Sequence, residues 1–463
     1  MPRTDNIKSR EALLRALSFK NTAIHMIGIG GVSMSALAEL LFASGYKISG
    51  SDREQSPTLE RLCAMGIDAY SGHRTDTVGR ASLVVYSHAI SPKDTELRYA
   101  RGVGIPTFTR SELLGAVMLD YGDRIGISGT HGKSTVTAML DQIFTTAGSD
   151  HTTLCGAPIT PSGSLRLGVS KDTLIYEACE YKDSFLDFSP TVAVGLNLEY
   201  DHTDYFPDIQ ELEGSFVKSL SGAERLALIN SDDAGMDRIK GRITSPLVTF
   251  SRGERSDYTY TVHGFCEKGY IFAVSKGSLE LARVELPMIG VHNVINATAA
   301  LVTAAEFGID PAVSARALGE YRGIKCRLEY VGRRGVRAVY RDYAHHPSEI
   351  AAGINALRMS THEKVTVVFK PHTYSRTSAL WEDFVRALSL ADSAVLTDIY
   401  PAREDPIPGI TSRRLAEAVG RSAVFSSDYD VERVVDTMTD GVIVIMGAGG
   451  LDNVADSIIA HRS

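Results

Sequence analysis

The residues best able to do chemistry in this 463-residue chain fall into a few short runs. The densest is Gly129-Thr130-His131-Gly132-Lys133-Ser134-Thr135, set between an apolar run and a helical pattern. It is shorter than the common phosphate loop, since Ile127 stands where that pattern has its first glycine. The physics is unchanged. Backbone N–H groups cradle phosphates, Lys133 reaches the terminal phosphates, and a hydroxyl of Ser134 or Thr135 can ligate Mg²⁺. A second run, Gly28-x-Gly30-Gly31-x-Ser33, suits a diphosphate-bearing nucleotide, because glycines let the backbone approach a pyrophosphate at a helix N-terminus. Asp52, ending the next strand, is placed to accept ribose hydroxyls. Ser33 replaces the third glycine of the dinucleotide fingerprint, and a plain strand–helix turn is the alternative reading.

Acidic and histidine-bearing runs follow. Glu177 ends an apolar strand, and Asn197-Leu-Glu199-Tyr-Asp201-His202-Thr-Asp204 follows another. In open α/β sheets the carboxyl ends of strands hold ligands, so both runs are expected to face the phosphate loop. Glu177 and His202 are candidate Mg²⁺ contacts, and the preference of hard cations for oxygen favours Glu177. Asp201 and Asp204 suit either metal binding or capping of the next helix. His292-Asn293-x-x-Asn296 and Cys326-Arg327-Leu328-Glu329 fit structural roles as well as functional ones. Arg341-Asp342-Tyr343-Ala344-His345-His346-Pro347-Ser348-Glu349 and His372-Thr-Tyr-Ser375-Arg376-Thr377 each follow a strand. They bring two polar clusters to one sheet edge, with helix caps as the alternative. Pro347 suits a first helical position.

The elements that must position these runs alternate strand and helix, which implies parallel sheets. Strands are expected at Ile24–Ile27, Tyr46–Ser49, Leu83–Tyr86, Arg124–Ser128, Leu174–Glu177, Val192–Leu196, Leu226–Ile229, Ala338–Tyr340, Val365–Phe369, Ala394–Thr397 and Val442–Met446. Between Val248 and Leu286 the pattern changes to alternating strands, so part of that sheet is expected to be antiparallel. His292–Ala305 reads as a helix. Three blocks result, with boundaries near residues 122 and 322.

Composition excludes some classes. A net charge of −8 argues against nucleic acid as the main partner. No apolar run approaches the roughly 18 residues of a membrane span. The five cysteines form no CxxC pair, so neither a disulfide framework nor a zinc site is expected. The charged N-terminus lacks a signal-peptide core, and the expected location is cytoplasmic.

Taken in order from Ile24 to Asp452, these motifs resemble the Mur ligase family. The resemblance implies an α/β protein of three domains. An N-terminal Rossmann-like domain (1–122) would hold a UDP-sugar. A central P-loop-type mononucleotide-binding domain (123–322) would hold ATP. A C-terminal Rossmann-like domain (323–463) would close over both. The implied activity is ATP-dependent amide formation in peptidoglycan precursor synthesis. The carboxylate of UDP-N-acetylmuramic acid would become an acyl phosphate and then accept an amine. The run Asp398-Ile-Tyr-Pro-Ala-Arg403-Glu-Asp-Pro-Ile-Pro-Gly-Ile-Thr411 resembles the member that adds L-alanine.

Carried over by motif, Gly30, Gly31 and Ser33 would line the UDP diphosphate, and Asp52 its nucleoside end. Gly129 to Thr135 would hold ATP, with Ser134, Glu177 and His202 on Mg²⁺. His292, Asn296, Arg327 and Asp342 would contact the nucleotide. Lys133, His345, His346 and Arg376 would be catalytic, with either histidine as the base for the amine. The chain departs from the family at Cys326 and Leu328 (usually Arg and Phe), at Arg341 (often Asp) and at Ser134 (more often Thr). Lys218 does not fit the place of the carbamylated lysine some relatives carry. A monomer or homodimer is expected, without nucleic-acid or membrane partners. Beside this reading, and beside that of a non-catalytic nucleotide-binding module that binds ATP without releasing phosphate, stand two rivals. One is a recycling ligase that adds a preformed tripeptide to the same sugar nucleotide. The other is an NAD-dependent dehydrogenase built on Gly28–Gly31, against which the second nucleotide loop argues.

Overall fold

Short apolar runs ending in glycine turns build parallel sheets here, because each turn feeds a helix that covers the strand it left. The computed structural model describes residues 4–160, 163–253, 255–266, 269–402, 404–438, 440–449, 454 and 458. Arg403 and Asp452, named in the runs above, lie outside the described residues. The chain divides into two compact units. The first comprises Met1–Leu198, Glu213–Phe250 and Thr303–Ile309, and the second Glu199–Leu212, Ser251–Val302 and Asp310–Ser463.

The first unit opens with a parallel sheet of β1 (Ala23–Ile27), β2 (Lys47–Asp52), β3 (Asp68–Ser71), β4 (Leu83–Tyr86) and β5 (Thr107–Thr109). The order is β3-β2-β1-β4-β5. Strand order reverses between β1 and β4, so the Gly28 turn leaves the sheet at a switch point, where such folds bind ligands. A second sheet follows with β6 (Asp123–Ser128), β7 (Thr152–Leu154), β8 (Leu165–Arg166), β9 (Thr173–Glu177), β10 (Val192–Gly195), β11 (Leu226–Asn230) and β12 (Leu247–Ser251). Their order is β12-β11-β10-β6-β9-β7-β8, parallel except for β8. The helix Arg110–Val117 packs tightly on the turn Tyr181–Asp187. A Cβ on Gly115 would lie 2.2 Å from the Asp187 carbonyl oxygen, so only glycine fits there.

The second unit holds an antiparallel meander of β13 (Tyr258–Cys266), β14 (Gly269–Lys276) and β15 (Leu279–Leu286), as the alternating pattern predicts. Its six-stranded sheet contains β16 (Glu329–Arg334), β17 (Arg337–Asp342), β18 (Val365–Phe369), β19 (Ser393–Leu396), β20 (Ala423–Phe425) and β21 (Val442–Met446). The order is β16-β17-β21-β18-β19-β20, and only β16 runs antiparallel to its neighbour. Both faces are covered. Val367 and Val444 pack on one side, and Val368 and Ile445 on the other. This explains the unbroken apolar runs of β18 and β21.

The strands expected at Leu83–Tyr86, Val365–Phe369 and Val442–Met446 match residue for residue. The short strands β3, β5, β7, β8 and β20, of two to four residues, were not expected from pattern. Nor was the helix Thr4–Leu17. Among the described residues no helix is long and apolar enough to cross a membrane.

One buried polar network stiffens the first sheet. Glu96, fully buried, accepts from Tyr70 Oη at 3.0 Å and from the Arg74 N–H at 2.6 Å, and meets His25 Nε2 at 3.3 Å and the Ser51 hydroxyl. Burial alone would raise its pKa, but the bonds from His25, Ser51 and Arg74 hold it down to about 2. A depressed carboxylate stabilises above its unfolded pKa and loses that contribution as pH falls through the folded value. Glu96→Ala is expected to lower unfolding free energy in urea by about 3–5 kcal/mol at neutral pH. The difference from wild type should shrink as pH falls from 4.5 toward about 2.

Candidate active site

The phosphate loop leaves β6 and enters the helix Lys133–Thr146. Gly129 takes φ +146°, and a Cβ there would lie 3.0 Å from Leu196 Cβ and 3.2 Å from the Asn197 nitrogen. Gly132 precedes the helix at φ 84°, with no side-chain cap. Asn197, just beyond β10, holds the loop's shape. Its Oδ1 accepts from the His131 N–H at 2.8 Å, and its Nδ2 donates to the His131 carbonyl at 3.0 Å. Its own carbonyl accepts from the Thr130 N–H at 3.1 Å. The sequence assigns the loop's N–H groups to phosphate, but those of Thr130 and His131 turn to Asn197. The donors facing an anion are those of the uncapped first turn, Lys133 to Thr135.

Lys133 Nζ folds back over its own loop. It bonds the carbonyl of Gly129, lies 3.2 Å from that of Thr130, and lies 3.2 and 3.0 Å from the two oxygens of buried Glu180. Burial alone would lower its pKa, but Glu180 raises it above the usual lysine value, so the ammonium stays charged. Glu180 was missed in the sequence, although it stands just past a strand end beside Glu177.

Ser134 and Glu177 meet around Cys155, whose Sγ lies 3.6 Å from the Ser134 carbonyl and 3.3 Å from Glu177 Oε1. The Gly156 N–H also donates to Glu177. Burial pushes the Cys155 thiol well above its ordinary pKa. The Glu177 carboxylate is an oxygen donor of the kind a hard divalent cation prefers. His202, the other expected metal contact, belongs to the second unit, in a left-handed turn at φ 54°. Lys218 is exposed.

The helix that follows the Gly28–Gly31 turn and Glu177 line one cleft. That cleft is lined by Ser33 and Leu37 of the helix Val32–Ala43, by Arg110, by Gly156 and by Glu177. Gly31 precedes that helix without a side-chain cap. The Gly30 N–H donates to Asp52 Oδ2 at 2.8 Å, and the Arg53 N–H to Asp52 Oδ1 at 2.7 Å. Asp52 thus braces the glycine turn, a duty the sequence does not announce.

In the second unit, the His292 ring lies over Gly290, where a Cβ would come within 2.4 Å of it. Asn296 is buried and donates to Asn293 Oδ1 at 3.3 Å. The Arg327 guanidinium sits 5.1 Å above the Tyr343 ring, between Cys326 and Leu328 at φ 58° and 44°. Asp342 holds this strained pair by accepting from the N–H groups of Leu328 at 3.0 Å and Ala344 at 2.8 Å. Burial raises the Asp342 carboxyl to about 6, against the pull of Arg327.

His346 caps the helix Pro347–Thr361, with Pro347 in the expected first helical place. Its Nδ1 lies 2.8 Å from Ser348 Oγ and 3.3 Å from Glu199 Oε2, and its Nε2 lies 3.4 Å from the Tyr200 carbonyl. His345 Nδ1 lies 3.0 Å from the Tyr343 carbonyl. Burial pushes the His345 imidazole down to about 4, with Glu349 pulling up and Arg376 pushing down. Arg376 makes a bidentate pair with Asp201 at 2.9 and 3.1 Å and reaches His372 Nδ1 at 3.0 Å. Asp201 is held far below the usual carboxylate range, because Arg376 outweighs its burial. Both of its carboxylate oxygens are turned to Arg376.

The chain matches the family descriptions "Mur ligase family, catalytic domain" over residues 23–121, "Mur ligase middle domain" over 127–304 and "Mur ligase, glutamate ligase domain" over 326–449. It belongs to the Mur ligase family. It is 38% identical to the UDP-N-acetylmuramate–L-alanine ligase of Clostridium acetobutylicum, covering 94% of this chain and 97% of that one. The fold is that of the UDP-N-acetylmuramate–alanine ligase of Thermotoga maritima, with TM-score 0.80, 24% identity, and 95% and 99% of the two chains covered. A murein peptide ligase from Psychrobacter arcticus shares it too, with TM-score 0.72, 23% identity, and 95% and 98% covered. These matches bear out the three-domain α/β Mur ligase expected from the motifs.

Asn197→Ala should free the Gly129–Thr135 loop, expected from its motif to hold ATP. The expected outcome is a KM for ATP raised about tenfold, with kcat changed less, because a preorganised site becomes one that must order on binding. Steady-state kinetics at saturating partner substrates measures this.

Proposed function

We infer that this chain joins L-alanine to the carboxylate of UDP-N-acetylmuramic acid at the expense of ATP, in peptidoglycan precursor synthesis. The observation that carries the reading is the shared cleft. The helix after the glycine turn and the carboxylate of Glu177 line one space, so an acid-bearing sugar nucleotide and a metal-held phosphoryl group can meet. The choice of alanine rests on the relatives' names and on their near-full-length similarity. A cytoplasmic location fits the substrates.

Attack of an amine on a carboxylate would have to expel oxide. Transfer of the ATP γ-phosphoryl to the muramoyl carboxylate gives an acyl phosphate, whose leaving group is phosphate. In this reading the first turn at Lys133–Thr135 holds the triphosphate, and Lys133 exchanges Glu180 for the terminal phosphates. Ser134 and Glu177 would hold Mg²⁺, which neutralises charge on the phosphates. The His202 assignment rests on its place after a strand and on the resemblance. Arg327 and Tyr343 offer a cationic, aromatic platform for a nucleotide.

For the alanine ammonium a base is needed, and His345 is better disposed than His346. Its Nδ1–H donates to the Tyr343 carbonyl, which leaves the Nε2 lone pair for a proton. His346 has both nitrogens engaged, Nδ1 at the helix cap and Nε2 by the Tyr200 carbonyl.

The assay is phosphate release with ATP, Mg²⁺, UDP-N-acetylmuramic acid and one amine at a time. Release with free L-alanine and none with the tripeptide is expected; the reverse would make the chain a recycling ligase. Reduction of NAD would revive the dehydrogenase. His345→Gln should lower kcat about 100-fold or more with little change in the KM for ATP. His346→Gln should act mainly on melting temperature. A base with a free pKa near 4 is competent above it, so wild-type activity through this group is lost as pH falls through about 4.

A further inference from the structure

Arg110 stands apart from the other cations of the first unit. Lys133 is paired with Glu180, and Arg124 with Glu224. Arg110 begins the helix Arg110–Val117, just after its cap Thr109. A cation there opposes the helix dipole, so helix formation does not explain it. The side chain is half-buried, and among the described residues no hydrogen bond or ion pair holds its guanidinium. Glu177, Cys179 and Asp187 act on it only through longer-range charge. It faces the cleft that Ser33 and Glu177 also line. Two more basic groups stand near. Burial first, then Lys182 and Arg110, push the His88 imidazole down. Lys182 is held in left-handed backbone at φ 54°.

A half-buried cation without a partner, aimed into a cleft, calls for an anion that the protein does not supply. The sugar nucleotide carries two anionic parts, a diphosphate and an acid arm. The uncapped N-terminus after Gly31 suits the diphosphate. The acid arm must lie where the phosphoryl group arrives, beside Glu177, and there two anions repel each other. A planar guanidinium matches a carboxylate through two parallel N–H bonds and offsets that repulsion. We propose that Arg110 binds the acid group of the sugar nucleotide and aims it for phosphoryl transfer. This rests on the ligase reading and names the residue that reads the substrate's reacting end.

The test compares two ligands by calorimetry with the full chain, Arg110→Gln and Arg110→Lys. One ligand is UDP-N-acetylmuramic acid. The other is UDP-N-acetylglucosamine, the same framework without the acid arm. Arg110→Gln should weaken the muramic ligand about 10- to 100-fold and leave the glucosamine ligand within about twofold. Arg110→Lys should recover part of the loss, and the KM for ATP should hold in both variants. Unchanged affinity for the muramic ligand would overturn the proposal. An equal loss for both ligands would also overturn it, because Arg110 would then read the diphosphate. If Arg110→Gln melts early, the ligand comparison in Arg110→Lys decides by the same criteria. A wild-type chain that binds neither sugar nucleotide would remove the ligase reading, and this proposal with it; wild-type binding matched by Arg110→Gln removes the proposal alone.

Discussion

Asn197 ties the phosphate loop to the neighbouring strand, and the geometry of the first unit follows from that tie. β6 and β10 run side by side, with Gly195 opposite Ser128, so residue 197 emerges next to the loop. A primary amide offers a donor and an acceptor on one rigid plane, and so matches the N–H and the carbonyl of one residue, His131. Aspartate in its place would offer no donor, and alanine would offer neither group. The loop is therefore shaped before any ligand arrives. Its first helical turn is left open because the N–H groups ahead of it are already engaged. Preorganised donors of this kind need no rearrangement when negative charge arrives.

The same economy governs the charged groups. Lys133 on Glu180 and Arg376 on Asp201 are buried pairs, each within one unit. Leaving either cation buried alone would cost several kcal/mol. Pairing also fixes direction, since Arg376 is held bidentately and its remaining nitrogen is turned toward His372. The two pairs differ in what a ligand must do. Lys133 can trade a carboxylate for phosphate oxygens with little net change in charge. Arg376 has its fork filled by Asp201, which leaves one nitrogen, turned to the His372 ring.

How much of this was legible in the sequence follows from range. Residues whose work is local could be read. Gly129 and Gly132 mark a turn that only glycine tolerates, Pro347 marks a helix start, and doubly covered strands such as Val365–Phe369 announce themselves by unbroken apolar runs. Edge strands of two to four residues carry too few side chains for any period, so β3, β5, β8 and β20 went unread. Partners distant in sequence left no trace either. Asp201 and Arg376 are 175 residues apart. Nothing in either run says that the other will neutralise it, so Asp201 looked like a cap or a ligand. Glu180 and Asn197 were in plain view, but their tasks depend on which strands lie beside β6. Three family domains were legible because their motifs occur in one order, while the role of Asp52 as a brace had to wait for the turn itself.

The two adjacent histidines show how a local rule separates two neighbouring rings once the helix boundary is known. Proline at position 347 fixes the first helical residue, because its missing N–H is tolerated there. The residue before it must then be the cap, and a cap side chain turns toward the first N–H groups of the helix. His346 obeys, and the Ser348 N–H donates to its ring. Glu349 completes the box by accepting from the N–H groups of His345 and His346 at 3.0 and 3.2 Å. His345 stands one residue earlier, and its ring answers to the Tyr343 carbonyl and packs 6.0 Å from His372. The carboxylate that anchors the backbone also lies 3.4 Å from the His345 ring. Glu349 therefore sets both the helix start and the field felt by the imidazole. The division of labour between neighbours that look alike in sequence thus comes from a single proline and the glutamate two residues after it.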